Sequence, residues 1–480
     1  MTLPARYSVC RSSTLGNSRA AVAGPRCRTP VTFGLNLLGC LREPSTPGVS
    51  DLSYVSTRGA APPVDLPTAL RHGLAPDGGL YLPHPLRPLP AAEIGAMRGT
   101  TWLEVASRVA AHLLGDELDR ATTDAIVASA LDFPVPLVRL TERVHVLELF
   151  HGPTFAFKDV GARFLARVFA ATRTSDAPIT VLTATSGDTG GAVAHAFHGV
   201  PGIRVVILFP QGQVSPLQER QFTTVGGNVQ AAAVRGTFDD CQRLVKGAFA
   251  DRQLVDRLGL TSANSINVGR LLPQVFYYFY AWAQLPAADA VVSVPSGNFG
   301  NLAAGLIAKR LGLPAVKFVA ATNANDVVPE YLRTGRFTPR PSIRTVSSAM
   351  DVGNPSNLDR IVALYRGEPD RLRRDVSGRS FTDDATRACI ASTARQHDYL
   401  LDPHSAVGLL GLGDELEAHP GAPGLVLATA HPAKFADVVE PVVGRLVALP
   451  PALAALRHVE SRPEAVAPDR HAVTSLLLRG

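Results

Sequence analysis

Lys158 is the residue of this chain with the clearest potential for covalent chemistry. It lies in segment 151–159, HGPTFAFKD, between aromatic side chains that lower the local polarity and favour a neutral amine. A neutral lysine amine attacks carbonyl carbons, whereas arginine stays protonated. A solvated lysine near a helix start is the ordinary alternative, so the role of Lys158 depends on the loops around it. Lysine is rare here: the others are Lys246, Lys309, Lys317 and Lys434.

The loop 296–301, SGNFGN, has the composition of a phosphate-binding loop. It follows the β-branched run 290–294 and precedes the helix-forming stretch 302–311. Glycine lets the backbone approach a ligand closely, and successive N–H groups at a helix start bind an anion. A tight strand-to-helix turn uses glycine for steric reasons too, so this loop alone leaves both interpretations open. The candidate residues are Gly297, Asn298, Phe299, Gly300 and Asn301.

The loop 185–190, TSGDTG, has the same placement and more hydroxyl groups. It lies between the apolar run 179–183 and a helix-forming stretch at 192–197. Hydroxyl and backbone donors at a helix start suit a carboxylate ligand. An acid in such a loop must either cap the helix or contact a cationic amine, and an ordinary N-cap cluster is the alternative reading of the whole motif. The candidate residues are Ser186, Gly187, Asp188 and Thr189.

A reactive amine, a phosphate loop and a carboxylate loop together predict a pyridoxal phosphate enzyme that acts on an amino acid. In such enzymes the cofactor aldehyde forms a Schiff base with a lysine, and its phosphate rests on a helix terminus. The joint occurrence of three motifs is much less expected by chance than any one of them.

The elements that must position these loops alternate between strands and helices. The pattern of β-branched run, polar loop and helix recurs at 179–197, 290–311 and 424–434, with further strand candidates at 203–209 and 317–322. Such alternation predicts an α/β fold in which parallel sheets are covered on both faces and ligands bind at the carboxyl ends of the strands. Upstream, residues 52–133 indicate a mostly helical lobe with a buried helix at Trp102–Leu114.

Composition excludes several classes of protein. Residues 1–50 hold six arginines and one acid, a net charge of +5, so the rest of the 480-residue chain carries only +1 of the total +6. A near-neutral body gives no case for nucleic-acid binding. The cysteines have no metal-ligand spacing and suggest a reducing compartment, and no apolar run is long enough for a membrane span. We therefore expect a cytoplasmic protein without a metal.

The same changes in composition predict the domain boundaries. We expect a disordered or non-native leader at 1–50, with an organelle transit peptide as the minor alternative. An N-terminal domain is expected at 51–135, a two-lobed cofactor-binding region at 136–440, and a helical C-terminal tail at 441–480.

The chain resembles the threonine synthase family, in its longer class with an N-terminal domain. The resemblance rests on segments 54–59 (YVSTRG), 74–83 (LAPDGGLYLP), 151–159, 264–270 (NSINVGR), 350–357 (MDVGNPSN), 402–408 (DPHSAVG) and 429–435 (TAHPAKF). It implies the tryptophan-synthase-β-like pyridoxal phosphate fold, fold type II, with two parallel-sheet lobes and an N-terminal, mostly helical domain. Phe155 and Ser405 depart from the family pattern without removing a reactive group.

The resemblance also implies roles for individual residues. Lys158 would carry the cofactor, residues 297–301 would hold its phosphate, and Thr429 would meet the pyridine nitrogen through its hydroxyl. Residues 186–189 would hold the substrate carboxylate or line the cofactor's oxygen side. The cationic and amide residues implied for the substrate phosphate are Asn267, Arg270 and Lys434, although Arg270 could equally form a structural ion pair.

The implied reaction converts O-phospho-L-homoserine and water to L-threonine and phosphate, by γ-elimination and β-addition of water. Lys158 would move the protons, and the enzyme would be a monomer or homodimer. A phospho-lyase that releases a 2-oxo acid from the same substrate is one alternative, because motifs do not reveal where water binds. A non-catalytic pyridoxal phosphate carrier is the other, and the complete set of motifs disfavours it.

Overall fold

The computed structural model describes residues 52–173, 177–286 and 289–479. The predicted leader at 1–50 lies outside the described residues. The strands are β1 (Ser53–Ser56), β2 (Tyr81–His84), β3 (Leu137–Arg139), β4 (Val144–Glu148), β5 (Ile179–Ala184), β6 (Ile203–Pro210), β7 (Val229–Val234), β8 (Leu260–Thr261), β9 (Ala290–Pro295), β10 (Ala315–Thr322), β11 (Val376–Ser380), β12 (Gly424–Ala428) and β13 (Glu464–Val466).

The α-helices in the same described residues are α1 (Leu66–His72), α2 (Ala91–Gly95), α3 (Trp102–Leu114), α4 (Arg120–Ala130), α5 (Lys158–Ala171), α6 (Asp188–Phe197), α7 (Pro216–Thr223), α8 (Phe238–Phe249), α9 (Arg252–Leu258), α10 (Val268–Leu271), α11 (Phe276–Gln284), α12 (Gly300–Arg310), α13 (Val327–Thr334), α14 (Leu358–Leu364), α15 (Pro369–Asp375), α16 (Asp383–His397), α17 (Pro403–Ala418), α18 (Ala436–Val443), α19 (Pro451–Leu456) and α20 (Arg470–Leu478). Short 3-10 helices occupy Gly115–Glu117, Leu272–Val275, Ser348–Met350 and Pro432–Phe435.

Two largely parallel sheets form the body of the molecule, as the sequence predicts. A six-stranded sheet has the order β11-β10-β9-β12-β4-β3, and only β3 runs antiparallel to its neighbour. A five-stranded sheet has the order β13-β7-β6-β5-β8 and is parallel throughout. Every residue of β5, β9 and β12 is buried, because helices cover both faces of a parallel sheet.

The strands predicted at 179–183, 203–209, 290–294, 317–322 and 424–428 are confirmed as β5, β6, β9, β10 and β12. The helix predicted at Trp102–Leu114 is confirmed as α3. Its start is fixed by a capping box in which Thr101 and Glu104 satisfy each other's backbone N–H groups. The N-terminal lobe is mostly helical, as predicted, with the antiparallel pair β1 and β2 beside α1–α4.

The predicted helical tail at 441–480 needs correction. It contains β13, which adds a parallel edge strand to β7 in the five-stranded sheet. Helix α20 then packs Val473, Leu476 and Leu477 into the core of that lobe beside Cys241 and Leu244 of α8. A strand of three residues has too short a pattern to be recognised in the sequence, and pairing with a neighbour is what defines it.

Candidate functional site

A large cavity of about 1680 Å³ lies at the carboxyl ends of strands from both sheets. Its lining includes Ala184 and Pro210 from the ends of β5 and β6, Pro295 from the end of β9, and Thr429 directly after β12. This is the edge at which parallel α/β sheets bind ligands. All but two of the predicted site residues line it; Gly187 and Asn267 are the exceptions.

Lys158 begins helix α5 and extends its amine into the cavity. The side chain is 16% exposed, and Nζ lies 3.5 Å from Oδ2 of Asp188. Burial lowers the pKa of the Lys158 amine, and the charges of Lys434 and Arg270 lower it further, whereas Asp188 raises it. The loop before α5 is fixed by the Phe157 N–H, which donates to the Thr429 carbonyl at 2.8 Å. The structure therefore places a lysine suited to the neutral state beside the loop after β12.

The predicted phosphate loop forms the N-terminus of α12. Phe299 has a left-handed backbone, with φ of 60°, and turns the chain from β9 into the helix. The Asn298 side chain is held on both sides: it donates to Ser265 Oγ at 2.6 Å and accepts from the Ser356 N–H at 2.7 Å. A Cβ at Gly297 would lie 2.7 Å from Met350 Cα, so the close packing of this loop requires glycine.

Asn301, in the first turn of α12, carries a buried donor without a partner. Its Oδ1 accepts from the hydroxyls of Tyr277 and Tyr278, at 2.5 and 2.7 Å. Its Nδ2 is buried and has no hydrogen-bond partner among the described residues. Burying an unpaired amide donor costs about 1–3 kcal/mol. An anion at the start of α12 would satisfy this donor as well as the free backbone N–H groups there.

Thr429 follows directly after the end of β12. Its backbone N–H donates to Ser405 Oγ at 3.2 Å, and the Ser405 hydroxyl donates to Asp402. Thr429 lines the cavity, and its hydroxyl makes no hydrogen bond to the described residues. His404 fixes the same region, because its Nδ1 lies 2.6 Å from Asp402 Oδ1 and its Nε2 accepts from the Ala349 N–H at 3.1 Å.

The predicted carboxylate loop forms the N-terminus of α6. Thr185, which the sequence interpretation did not single out, shapes it: the hydroxyl accepts from the N–H groups of Gly187 and Gly190, at 3.0 and 2.8 Å. Gly187 has φ of 146° and is packed against Gln218 outside the cavity lining. Ser186 and Thr189 line the cavity.

Asp188 contacts cationic amines, which is one of the two roles expected for an acid in an anion-binding loop. Its Oδ1 is 2.6 Å from Lys434 Nζ and accepts from Gln218 Nε2 at 2.8 Å, while Oδ2 points to Lys158. Burial alone would raise the pKa of this carboxyl, but Lys434 and Lys158 outweigh it and hold the pKa well below its usual range. Asp188 is therefore an ionised counterion within the cavity wall.

The three residues predicted for the substrate phosphate are placed differently from one another. Arg270 lines the cavity; its Nη1 donates to the Ala263 carbonyl at 2.7 Å, and its Nε has no partner among the described residues. Burial lowers the pKa of Arg270 to about 10, against the opposing charge of Asp159. Lys434 also lines the cavity, but its side chain is fully buried, and Nζ is occupied by Asp188 and by the Thr154 carbonyl at 2.8 Å.

The prediction for Asn267 is not supported by its position. The residue is fully buried as the N-cap of α10, and its amide donates to the carbonyls of Leu70 and Ser262, both at 2.9 Å. Its Oδ1 accepts from the Gly269 N–H at 3.0 Å. Every polar atom of the side chain is thus committed to holding the loop before α10, away from the cavity lining.

Sequence reasoning also missed a buried residue that holds the loops around the cavity in place. Arg360 is fully buried and donates to the carbonyls of Tyr81, Ser265 and Ile266 and to Asn357 Oδ1. It joins the N-terminal lobe to the serine that holds Asn298. A buried arginine has no distinct signal in a sequence rich in arginine. Among the described residues no cluster of His, Cys, Asp and Glu could hold a metal ion.

None of the helices in the described ranges is both long and apolar enough to cross a membrane.

Comparison with protein families gives three matches along the chain. Residues 130–430 match the family described as "Pyridoxal-phosphate dependent enzyme". Residues 53–131 match "Threonine synthase N terminus", and residues 405–477 match "Threonine synthase, C-terminal".

Similar proteins and similar solved structures are threonine synthases. The chain is 48% identical to the threonine synthase of Haemophilus influenzae over 388 residues, which cover 80% of this chain and 90% of that protein. It is 46% identical to that of Escherichia coli over 394 residues, covering 82% and 91%. The crystal structure of threonine synthase from Escherichia coli superposes with a TM-score of 0.84 at 42% identity, covering 89% of this chain and 99% of that one. A PLP-bound threonine synthase from Brucella melitensis gives a TM-score of 0.83 at 39% identity, with the same coverage.

Proposed function

The chain belongs to the threonine synthase family of pyridoxal-phosphate-dependent enzymes, and we propose that its central cavity converts O-phospho-L-homoserine and water to L-threonine and phosphate. One observation carries the proposal: the amine of Lys158, with its lowered pKa, shares a single cavity with the N-termini of α6 and α12. One helix terminus suits the substrate carboxylate and the other suits the cofactor phosphate.

The residues present fit pyridoxal phosphate. Residues 297–301 would hold its phosphate, and the unpartnered Nδ2 of Asn301 supports this assignment because a buried amide donor needs an acceptor. The Thr429 hydroxyl would meet the pyridine nitrogen, where a neutral partner keeps that nitrogen uncharged. When bound, the cofactor draws electrons from the substrate carbon that bears the amino group, so that protons on Cα and then Cβ become acidic.

Lys158 is proposed to move the protons. A base must be unprotonated to accept the proton from Cα, and burial of Nζ favours that state. The same amine, once protonated, is an acid able to deliver the proton to Cγ, because a tethered side chain reaches neighbouring carbons of a bound substrate.

The substrate is proposed to bind by its two anionic ends. Ser186, Thr189 and the first N–H groups of α6 offer donors to the carboxylate. Arg270 is the residue proposed for the phosphate, since only its Nη1 is bonded to a described residue. A dianionic leaving group requires such a cation as the carbon–oxygen bond breaks. Lys434 is not proposed for this contact, because Asp188 and Thr154 already occupy its amine.

Product analysis tests the proposal. Purified protein with pyridoxal phosphate should convert O-phospho-L-homoserine to L-threonine with one phosphate released per threonine. Formation of 2-oxobutyrate in place of threonine would assign a phospho-lyase to the same site, and no turnover of either kind would remove the catalytic assignment.

A matched pair of lysine variants tests the role of Lys158. Lys158→Ala should lose turnover together with the absorbance of the lysine-linked cofactor. Lys309→Ala is the control, because Lys309 pairs with Asp375 at 3.1 Å and does not line the cavity. Turnover that survives in Lys158→Ala would show that another group moves the protons.

We further propose that the protein acts in the cytoplasm as a monomer or homodimer. The relatives compared above are bacterial enzymes, and a small substrate requires neither membrane nor nucleic acid. Light scattering after size-exclusion chromatography gives the oligomeric state. A trimer or larger assembly would contradict the proposed monomer or homodimer. Recovery of the native protein in a membrane or organelle fraction would contradict the location.

A further inference from the structure

Lys434 and Asp188 form a buried ion pair directly behind the amine of Lys158. The Lys434 side chain is fully buried and the Asp188 side chain is 3% exposed, while Lys158 is 16% exposed. The pair is held from both ends, because Lys434 Nζ also donates to the Thr154 carbonyl and Asp188 Oδ1 also accepts from Gln218. Burying two charges is costly, so such a pair is retained only with further hydrogen bonds of this kind.

The two carboxylate oxygens of Asp188 have different partners. Oδ1 receives the short contacts, from Lys434 at 2.6 Å and from Gln218 at 2.8 Å. Oδ2 is left at 3.5 Å from Lys158, a distance longer than a charge-assisted hydrogen bond. The negative charge is thus committed to Lys434, and Lys158 is the looser of the two partners.

Removing Lys434 would change the protonation state of the Lys158 amine. Asp188 would then have Lys158 as its only cationic partner within ion-pair distance among the described residues. A buried carboxylate with one amine neighbour stabilises the protonated amine, and a protonated Lys158 could not accept a proton from substrate.

We propose that Lys434 is a positioning residue of this site: by neutralising Asp188 and fixing its orientation, it leaves the Lys158 amine free for chemistry instead of bound as the aspartate's counterion. The inference rests on the proposed function of the cavity, and it assigns Lys434 a role toward Lys158 in place of the substrate contact predicted from the sequence.

The charged groups near Lys158 lie on four different elements. Asp188 lies on α6, Lys434 on the 3-10 helix Pro432–Phe435, and Arg270 on α10, while Asp159 follows on α5 itself. Near Lys434 there are also His195 and His431. Burial lowers the pKa of both imidazoles below the ordinary value, so both stay neutral through the alkaline range. Variants of Lys434 and Asp188 therefore test how each of these two charges affects the protonation of Lys158.

The experiment is a pH titration of the absorbance of the bound cofactor in the holoenzyme, which reports protonation of the nitrogen contributed by Lys158. Lys434→Met should raise the midpoint by about 1–3 pH units, the usual effect of an unopposed neighbouring charge. Lys434→Gln, which keeps hydrogen-bonding capacity toward Thr154 and Asp188, should give the same shift. Asp188→Asn should lower the midpoint, and the Lys434→Met/Asp188→Asn double variant should return it to the wild-type value or below.

The acid limb of kcat should move with the absorbance midpoint, while KM changes little. Lys309→Met is the matched control, because it breaks a lysine–aspartate pair outside the cavity and should leave the midpoint unchanged. A merely structural role would lower stability without moving the midpoint, and unshifted midpoints in the neutral Lys434 variants would overturn the inference.

Two further outcomes test the role of Lys434 and the proposed function separately. If neither neutral Lys434 variant folds, Asp188→Asn decides alone, and an unchanged midpoint in that variant overturns the inference. If the wild-type protein itself shows no cofactor absorbance with Lys158, the proposed function fails. A normal wild-type titration with unshifted variants refutes only the role of Lys434.

Discussion

Replacing Gly161 by alanine tests the contact between α5 and Arg270. Gly161 is buried in α5, and a Cβ built there lies 2.8 Å from the Arg270 backbone oxygen and 2.9 Å from its Nε. Because the first of these atoms is backbone, either α5 or the chain at Arg270 has to shift, and such overpacking costs about 1–3 kcal/mol. Alanine recovers about 0.5–1 kcal/mol in a helix interior. The net expectation is a loss of about 1–2 kcal/mol in the free energy of unfolding.

Gly247→Ala is the matched control, since Gly247 lies within α8 and a Cβ there meets no atom within 4 Å. The control should gain about 0.5–1 kcal/mol from helix propensity, so the two variants should differ by about 2 kcal/mol in urea unfolding of the holoenzyme. Displacement of the guanidinium should also raise KM for O-phospho-L-homoserine about tenfold or more, while cofactor affinity stays unchanged. Equal stability of the two variants would refute the packing argument. Lower stability with an unchanged KM would refute the substrate contact of Arg270.

Further variants test the support of the site. Arg360→Met leaves several buried acceptors unpaired and should cost about 3–5 kcal/mol in urea unfolding; Arg371→Met, at an exposed ion pair, should change stability by less than about 0.5 kcal/mol. Asn301→Asp keeps the size of the side chain and the Oδ1 acceptor for Tyr277 and Tyr278, but replaces the unpartnered Nδ2 donor by an anionic oxygen, so the cofactor Kd in a fluorescence titration should rise at least about tenfold, and an unchanged Kd would place the phosphate elsewhere. The pKa of Asp188 is lowered in the folded state, so its stabilisation is complete above about pH 4 and is lost as the pH falls through the folded value. Acid unfolding followed by circular dichroism should therefore be less pH-dependent below about pH 4 in Asp188→Asn than in the wild type, and parallel curves would contradict the ionised state.

The sequence predicted those parts of the molecule whose conformation is determined by a short, continuous stretch of residues. Runs of β-branched residues predicted β5, β9 and β12, because strands buried on both faces need apolar side chains throughout. The glycine-rich loops at 185–190 and 296–301 predicted helix starts, since a tight turn from strand to helix needs glycine or a left-handed residue such as Phe299. Strand β13 was missed because three residues define a strand only through their pairing with β7.

The roles of Lys434, Asn267 and Arg360 depend on which side chains meet across the fold, and no local pattern contains that information. The sequence predicted both Lys434 and Asn267 for the substrate phosphate, because that dianion needs cationic partners. The fold instead brings Asp188 to Lys434 and the carbonyls of Leu70 and Ser262 to Asn267. A buried cation is satisfied by the nearest acceptor, and the substrate then binds where donors remain unpaired. By that criterion Arg270 and Asn301 are among the residues that the cavity leaves for ligands, and on our proposal Lys434 would act on the ligand through Asp188 and Lys158.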